Sequence, residues 1–419
     1  MIYVVVFAVL ILALITRRIG GSWFFPPAIY SLYWALIMLA SRFPIVSKGD
    51  LTPEAMLVFL AGAYCFAIGG IFPIALTKPI RAAPTRLSEK RIRVAQIVII
   101  ASSAILIIMV PFFVRSIQQL ANALRIDSFA IGSRYILGLP DHGGIPRIFR
   151  SWTSLTVILA FCAAWQYHGS PRDRLTLGAA VIAPLTMNIL TFGRTPVFML
   201  VIGVLAILLL RKEIGTAKAA VIFLCTLLIF FGMGVALKKG PKVNAGESTF
   251  SASISNLAVH HLSGPVGFGQ VMDNPELVGE KGLSLRFFTQ MLNSFGYKDT
   301  LPDNVLGYIG SDLGNVYTWY FAYWLDGRWL GVVLFSLLGG FISSLVYLFA
   351  LRGNFMAGVA WGLVTSAILD SAVIDLLFGS AVPWLLIAIT GWLLYRARIA
   401  LFPTRRRSSK VSNALPAKL

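Results

Sequence analysis

Apolar residues run through this chain in about eleven long stretches, and that pattern limits its fold more than any motif does. A stretch of about 20 mostly apolar residues crosses a bilayer as a helix, because a helix satisfies its own backbone hydrogen bonds where no water can. Placed by their polar punctuation, the stretches lie near residues 1–16, 22–41, 54–76, 94–114, 151–168, 176–192, 196–210, 219–237, 329–351, 355–378 and 381–396. With 57% hydrophobic residues, 13% charged and a mean hydropathy of +0.79, a water-soluble core is excluded. The sequence predicts an all-α polytopic membrane protein, with residues 1–419 forming a single integral membrane domain.

The polar segments orient the bundle. Residues 78–93 carry Lys78, Arg81, Arg86, Lys90, Arg91 and Arg93, and the tail 396–419 carries Arg396, Arg398, Arg405, Arg406, Arg407 and Lys410. The positive-inside tendency puts both segments in the cytoplasm. On that assignment 21 of the 36 basic residues face inward, opposed only by Glu89, Asp173 and Glu213, and 15 remain outside. Exported loops normally shed Lys and Arg, so those retained point to an anion handled at the outer face, and lipid phosphate is the anion at hand there. The first stretch begins at Met1 without a basic flank and is followed by Arg17-Arg18. This predicts a retained helix with its N-terminus outside, and no cleaved signal peptide. Cys65, Cys162 and Cys225 sit inside apolar stretches and give no disulfide framework.

Two outer loops are long, 115–150 and 238–328. Loops of this length are usually functional or disordered, and these are too rich in Phe, Leu and Ile for disorder. They are expected to fold against the membrane surface through short amphipathic helices. Within 115–125, Arg115, Gln118, Asn122 and Arg125 share one helical face and Ile117, Leu120 and Leu124 another. Residues 283–295 repeat the pattern, with Leu285, Phe288, Leu292 and Phe295 opposite Arg286, Gln290 and Asn293. Phe250, Ile254, Leu257 and His261 make a weaker third case.

Arginine is the residue type that carries the candidate chemistry. Arg194 stands in Gly193-Arg194-Thr195-Pro196, a corner so short that its guanidinium meets either the lipid headgroups, as an anchor, or the bundle interior. All five basic residues of 115–150 are Arg: 115, 125, 134, 147 and 150. A guanidinium binds phosphate oxygens bidentately and stays charged, and each charge-assisted hydrogen bond contributes about 1.5–3 kcal/mol, so two or three hold a pyrophosphate. General attraction to anionic lipid is the alternative. Both signs of charge occur in 238–328, as in a polar cavity. Aromatic residues run from Phe287 to Trp324, as in sites that stack on sugar faces, although Trp319 to Trp324 read more simply as an interfacial aromatic belt. His260-His261 are adjacent, so they share no helical face, and no fixed-spacing ligand accompanies them; no metal is expected. Asp370 and Asp375 sit near the outer end of an apolar stretch, either as functional carboxylates or paired with an Arg. No Gly-rich phosphate loop, zinc signature or serine nucleophile elbow is present.

At Leu313-Gly314-Asn315-Val316-Tyr317-Thr318, followed by Asp326-Gly327 and a Gly-punctuated stretch from Leu330 to Tyr347, the chain resembles oligosaccharide repeat-unit polymerases of the O-antigen polymerase (Wzy) type. The corner at 192–198 also resembles that family's mid-chain Arg corner. Related O-antigen ligases often carry a His-Asn pair where this chain has Gly314-Asn315, so their catalytic His has no counterpart here. The resemblance implies a GT-C-like bacterial inner-membrane glycosyltransferase working on the periplasmic side, without nucleotide sugar, metal or other cofactor. Its donor and acceptor are glycans linked to undecaprenyl pyrophosphate, with a chain-length-regulating co-polymerase as partner and no nucleic acid. On this reading Arg194, Arg125, Arg134 and Arg286 bind the pyrophosphate. Asp312, with His260 and His261 behind it, supplies the base, and Asn315, Tyr317 and Trp319 contact sugar or lipid. An O-antigen ligase and a lipid-linked oligosaccharide flippase are the rival readings.

Overall fold

The computed structural model describes residues 1–41, 51–76, 89–126, 129, 133, 145–191, 194–236, 261–269, 271–273, 284, 292 and 318–395. All regular structure among them is helical. The long helices are α1 (Ile2–Gly20), α2 (Pro26–Ala40), α3 (Pro53–Leu76), α4 (Glu89–Ala123), α5 (Ile145–Gln166), α6 (Pro171–Leu190), α7 (Arg194–Leu210), α8 (Thr216–Ala236), α9 (Trp319–Leu351), α10 (Phe355–Leu369) and α11 (Val382–Tyr395). Of these, α1, α3, α4 and α9 are long and apolar enough to cross a membrane on length and composition alone. Large apolar side chains point outward along several helices, among them Val4, Phe7 and Ile11 on α1, Ile97, Ile108 and Phe112 on α4, and Leu385, Ile389 and Trp392 on α11. Soluble monomers rarely expose contiguous apolar surface on this scale, and lipid is the solvent that suits it. The chain is a membrane-embedded helical bundle.

Helix ends follow local chemistry. α2 opens on Pro26-Pro27, whose missing N–H groups cost nothing in a first turn. α6 opens on a capping box in which Ser170 and Asp173 satisfy each other's backbone. Asn354 caps α10 by accepting from the Ala357 N–H at 3.1 Å. At this end of the bundle, opposite the site described below, Arg211 stacks over Trp165 and meets His168 and Glu213 at 3.2 and 3.3 Å. Gln96 donates to Asp173 at 2.8 Å, fastening α4 to α6.

The bundle is organised around α10. Every α10 residue from Phe355 to Ile368 except Ala357 is buried, as expected of a helix that is apolar all round. It packs against α7, α9, α11, α2 and α5. The tightest crossing joins α3 to α9. A Cβ on Gly69 would overlap the Leu337 carbonyl, and one on Gly340 would overlap the Phe66 carbonyl, so glycine lets these two backbones touch.

Three segments differ from the expected layout. Residues 115–123 continue α4 as one 35-residue helix and do not form a separate surface helix. At 1.5 Å per residue α4 is about 52 Å long, well beyond a hydrocarbon core of about 30 Å. Its buried stripe there is Phe113, Ile117 and Ala121, while Leu120 and Leu124 are exposed. The stretch 355–378 is not a single span, because α10 stops at Leu369 and residues 370–381 are non-helical. α9 breaks at Arg328, which adopts φ 50 and ψ −134. Its first piece, 319–327, doubles back along the second: Tyr323 stacks on Phe335 at 4.8 Å and Trp324 meets Trp329 at 5.6 Å.

Candidate functional site

The first piece of α9 is a half-helix that starts deep in the bundle. Phe66, at mid-height of α3, touches both Trp319 and the backbone beside Gly340, so Trp319 lies level with the middle of the long second piece. Nine residues of helix rise about 13 Å, roughly half the hydrocarbon thickness. At its lower end the half-helix meets the C-terminal end of α10, where the Trp319 N–H donates to the Ser371 carbonyl at 2.9 Å. Two helix ends thus abut inside the bundle. Irregular backbone is tolerated at such depth only where protein or a polar cavity satisfies it.

Aromatic donors fix the non-helical segment 370–381. Trp34 donates from Nε1 to Ser371 Oγ at 3.0 Å, and Trp384 donates to the Leu377 carbonyl at 3.1 Å. Asp375 Oδ1 accepts from the Leu377 and Phe378 N–H groups, both at 3.0 Å, and Oδ2 accepts from the Tyr323 hydroxyl at 3.3 Å. Asp375 therefore ties the segment to the half-helix and holds its own turn closed. Replacing it with Ala strips three donors of their acceptor and is expected to cost about 2–4 kcal/mol, with Asn retaining part of that. Thermal denaturation of the detergent-solubilised variants measures it.

The ring cluster beneath the half-helix is protein-filled. Trp319 is 1% exposed and donates from Nε1 to the Tyr30 hydroxyl at 3.2 Å. The Tyr30 and Tyr320 hydroxyls bond to each other, and Tyr30 stacks on Phe66 at 4.1 Å. Trp34, Phe59 and Tyr320 complete the cluster. Trp319 to Trp324 are not an interfacial belt. The reversal at Arg328 turns their faces inward, where the polar tips of Trp319, Tyr320 and Tyr323 find partners on α2 and on the 370–381 segment. Trp319, expected to meet sugar or lipid, is enclosed by protein side chains.

His261 is the first described residue of a helical run, 261–269, whose residues 262–269 are all buried. Phe268 packs on Phe59 and Trp324, placing this helix within the bundle and not on a membrane surface. At its start the His261 ring lies edge-on to Phe198 at 5.9 Å. Phe198 also belongs to the cluster containing Leu369, so His261, the first turn of α7 and the end of α10 occupy one end of the bundle. Arg194 is the first residue of α7, one turn before Phe198. The Asp326 carboxylate accepts from the Ser284 N–H at 2.7 Å, tethering the long loop to the half-helix.

Of the remaining candidates, Arg125 is exposed just past the end of α4, at φ 55. Asp312, His260, Arg134, Arg286, Asn315 and Tyr317 lie outside the described residues. Among the described residues no group of three or more His, Cys, Asp or Glu side chains is placed to hold a metal. The chain matches no protein-family model, no curated protein and no solved structure. Sequence reasoning missed Tyr30, Tyr33, Trp34 and Ser371. The available signal was the spacing of Tyr30, Tyr33 and Trp34, which puts three polar-tipped rings on one face of an apolar helix.

Proposed function

We propose that the protein polymerises oligosaccharide repeat units carried on undecaprenyl pyrophosphate, at the periplasmic face of a bacterial inner membrane. In this reading all eleven helices lie in the membrane, with the N-terminus outside and the tail 396–419 in the cytoplasm. The observation that carries the proposal is the meeting of His261 with Phe198, one turn into α7 from Arg194, which opens that helix. A titratable ring and a guanidinium-bearing corner, far apart in sequence, share the end of the bundle that the charge bias assigns to the outside.

In the reaction, a sugar hydroxyl of the incoming unit attacks the anomeric carbon of the growing glycan. The bond from that carbon to the pyrophosphate oxygen breaks, and the lipid pyrophosphate leaves with its electron pair. Arg194, Arg125, Arg134 and Arg286 are assigned to the developing negative charge, and Asp312, His260 or His261 to the hydroxyl proton. Asn315 and Tyr317 are assigned to sugar or lipid. Trp319 supports the site from beneath. A chain-length-regulating co-polymerase is the expected partner.

The test is the surface glycan ladder of cells lacking the protein, with and without complementation. Loss of long chains while single units still cap the lipid core supports polymerase. Loss of every unit, with lipid-linked units accumulating, points to ligase or flippase, and the membrane side of the accumulated units separates those two. The flippase reading has one observation in its favour, the buried carboxylate of Asp370 within the bundle.

A further inference from the structure

Asp370 is the most isolated charge-bearing group in the described bundle. It is 2% exposed, and its Oδ2 has no hydrogen-bond partner among the described residues. No cation among the described residues is paired with it; the ion pairs there are Arg93 with Glu89 and Arg211 with Glu213, both at the opposite end of the bundle. A bare carboxylate held this way is strongly disfavoured, and proteins resolve such a group by taking up a proton or by pairing it with a positive charge.

The surroundings suit a small cation. Asp370 caps the C-terminal end of α10, where the helix dipole places partial negative charge. The Thr318 hydroxyl, at the foot of the half-helix, is also without a partner among the described residues, and Thr318 is 2% exposed. It stands one residue from the Trp319 to Ser371 backbone bond, and Ser371 follows Asp370 directly. From α2, Tyr33 precedes Trp34, which bonds Ser371, and the Tyr33 hydroxyl is buried without a hydrogen-bond partner among the described residues. The N-terminal end of the half-helix faces the same spot and stabilises the carboxylate itself. Where helices break inside a membrane, such abutting ends and a carboxylate form ion sites. One carboxylate with neutral oxygens fits a single positive charge, whereas a divalent ion takes six to eight oxygens with several carboxylates.

We propose that Asp370, with the Thr318 and Tyr33 hydroxyls, binds a monovalent cation, sodium or a proton, at the junction of α10 with the half-helix of α9. This goes beyond the glycan reading and does not depend on it. The other titratable groups near the junction are Tyr30 on α2, Tyr320 and Tyr323 on α9, and Asp375 on the same segment, with His261 beyond Phe198.

The experiment uses the full chain in detergent, titrated with sodium chloride against choline chloride at fixed ionic strength, and separately acidified from pH 8 to 6 without sodium. Thermal midpoint and tryptophan emission are read, since Trp34 and Trp319 both bond to Ser371. A saturable rise of roughly 5 °C with sodium, absent in Asp370→Asn, identifies the sodium form of the site. A rise only on acidification, again absent in Asp370→Asn, identifies the proton form; the variant retains every other titratable group, so their contributions persist in it. Midpoints that respond to neither, or respond identically in wild type and Asp370→Asn, overturn the proposal. Should Asp370→Asn not purify, Tyr33→Phe is measured instead. A displaced half-point in either titration supports the site, and unchanged half-points overturn it.

Discussion

Arg194→Ala is expected to abolish long-chain glycan while leaving protein level and membrane insertion unchanged. The residue begins α7, and a first-turn side chain contributes little to a helix held by buried Val197, Leu200, Val204 and Ile207. The loss therefore falls on chemistry. Removing one preorganised charge aimed at a leaving group typically lowers turnover by about 10²–10³-fold, enough to clear polymer from a ladder. Arg194→Lys separates two mechanisms. If the guanidinium grips two pyrophosphate oxygens, Lys keeps the charge but loses the paired geometry and is also defective. If Arg194 only anchors the corner in the headgroups, Lys snorkels equally well and the ladder is normal. A near-normal ladder with Arg194→Ala removes Arg194 from the site. Immunoblotting of membrane fractions beside the ladder tells lost catalysis from lost protein.

Hydropathy carried the positions of the long helices because burial in lipid and burial in protein both demand apolar side chains, whatever the partner. The same indifference hid the site. Residues 371–378, Ser-Ala-Val-Ile-Asp-Leu-Leu-Phe, are as apolar as a helix, yet they are non-helical and pinned by Trp34, Trp384 and Tyr323. No local period reveals that, because the partners are supplied from other helices. The half-helix was obscured differently. Asp326-Gly327-Arg328 reads as the polar edge of a span beginning at 329, and the rings before it read as a belt. The triplet is in fact the turn of a helical hairpin, with Arg328 at positive φ and its guanidinium over Trp324 at 5.4 Å. His261 was legible as a titratable residue in a long outer loop, but its packing on Phe198 spans 63 residues of sequence and could not be read from either end.

Gly340→Val should be among the most damaging single apolar substitutions in the described bundle. Wherever Val places its Cβ, it meets the Phe66 carbonyl, a backbone atom that cannot swing aside as a side-chain tip can. Relief requires α3 and α9 to separate, and their separation would open the cluster of Tyr30, Phe66 and Trp319 beneath the half-helix. Overpacking ordinarily costs about 1–3 kcal/mol, and a clash between two backbones lies above that range. The expected result is a lowered yield of monodisperse protein and a thermal midpoint depressed by roughly 10 °C or more. Gly178→Ala is the paired control, since it lies within α6 and a Cβ there meets nothing within 4 Å. Alanine is favoured over glycine by about 1 kcal/mol inside a helix, so this variant should be slightly stabilised. Equal midpoints for the two variants would show that glycine serves α3 and α9 only as a small residue, and that the close crossing does not hold the half-helix in place.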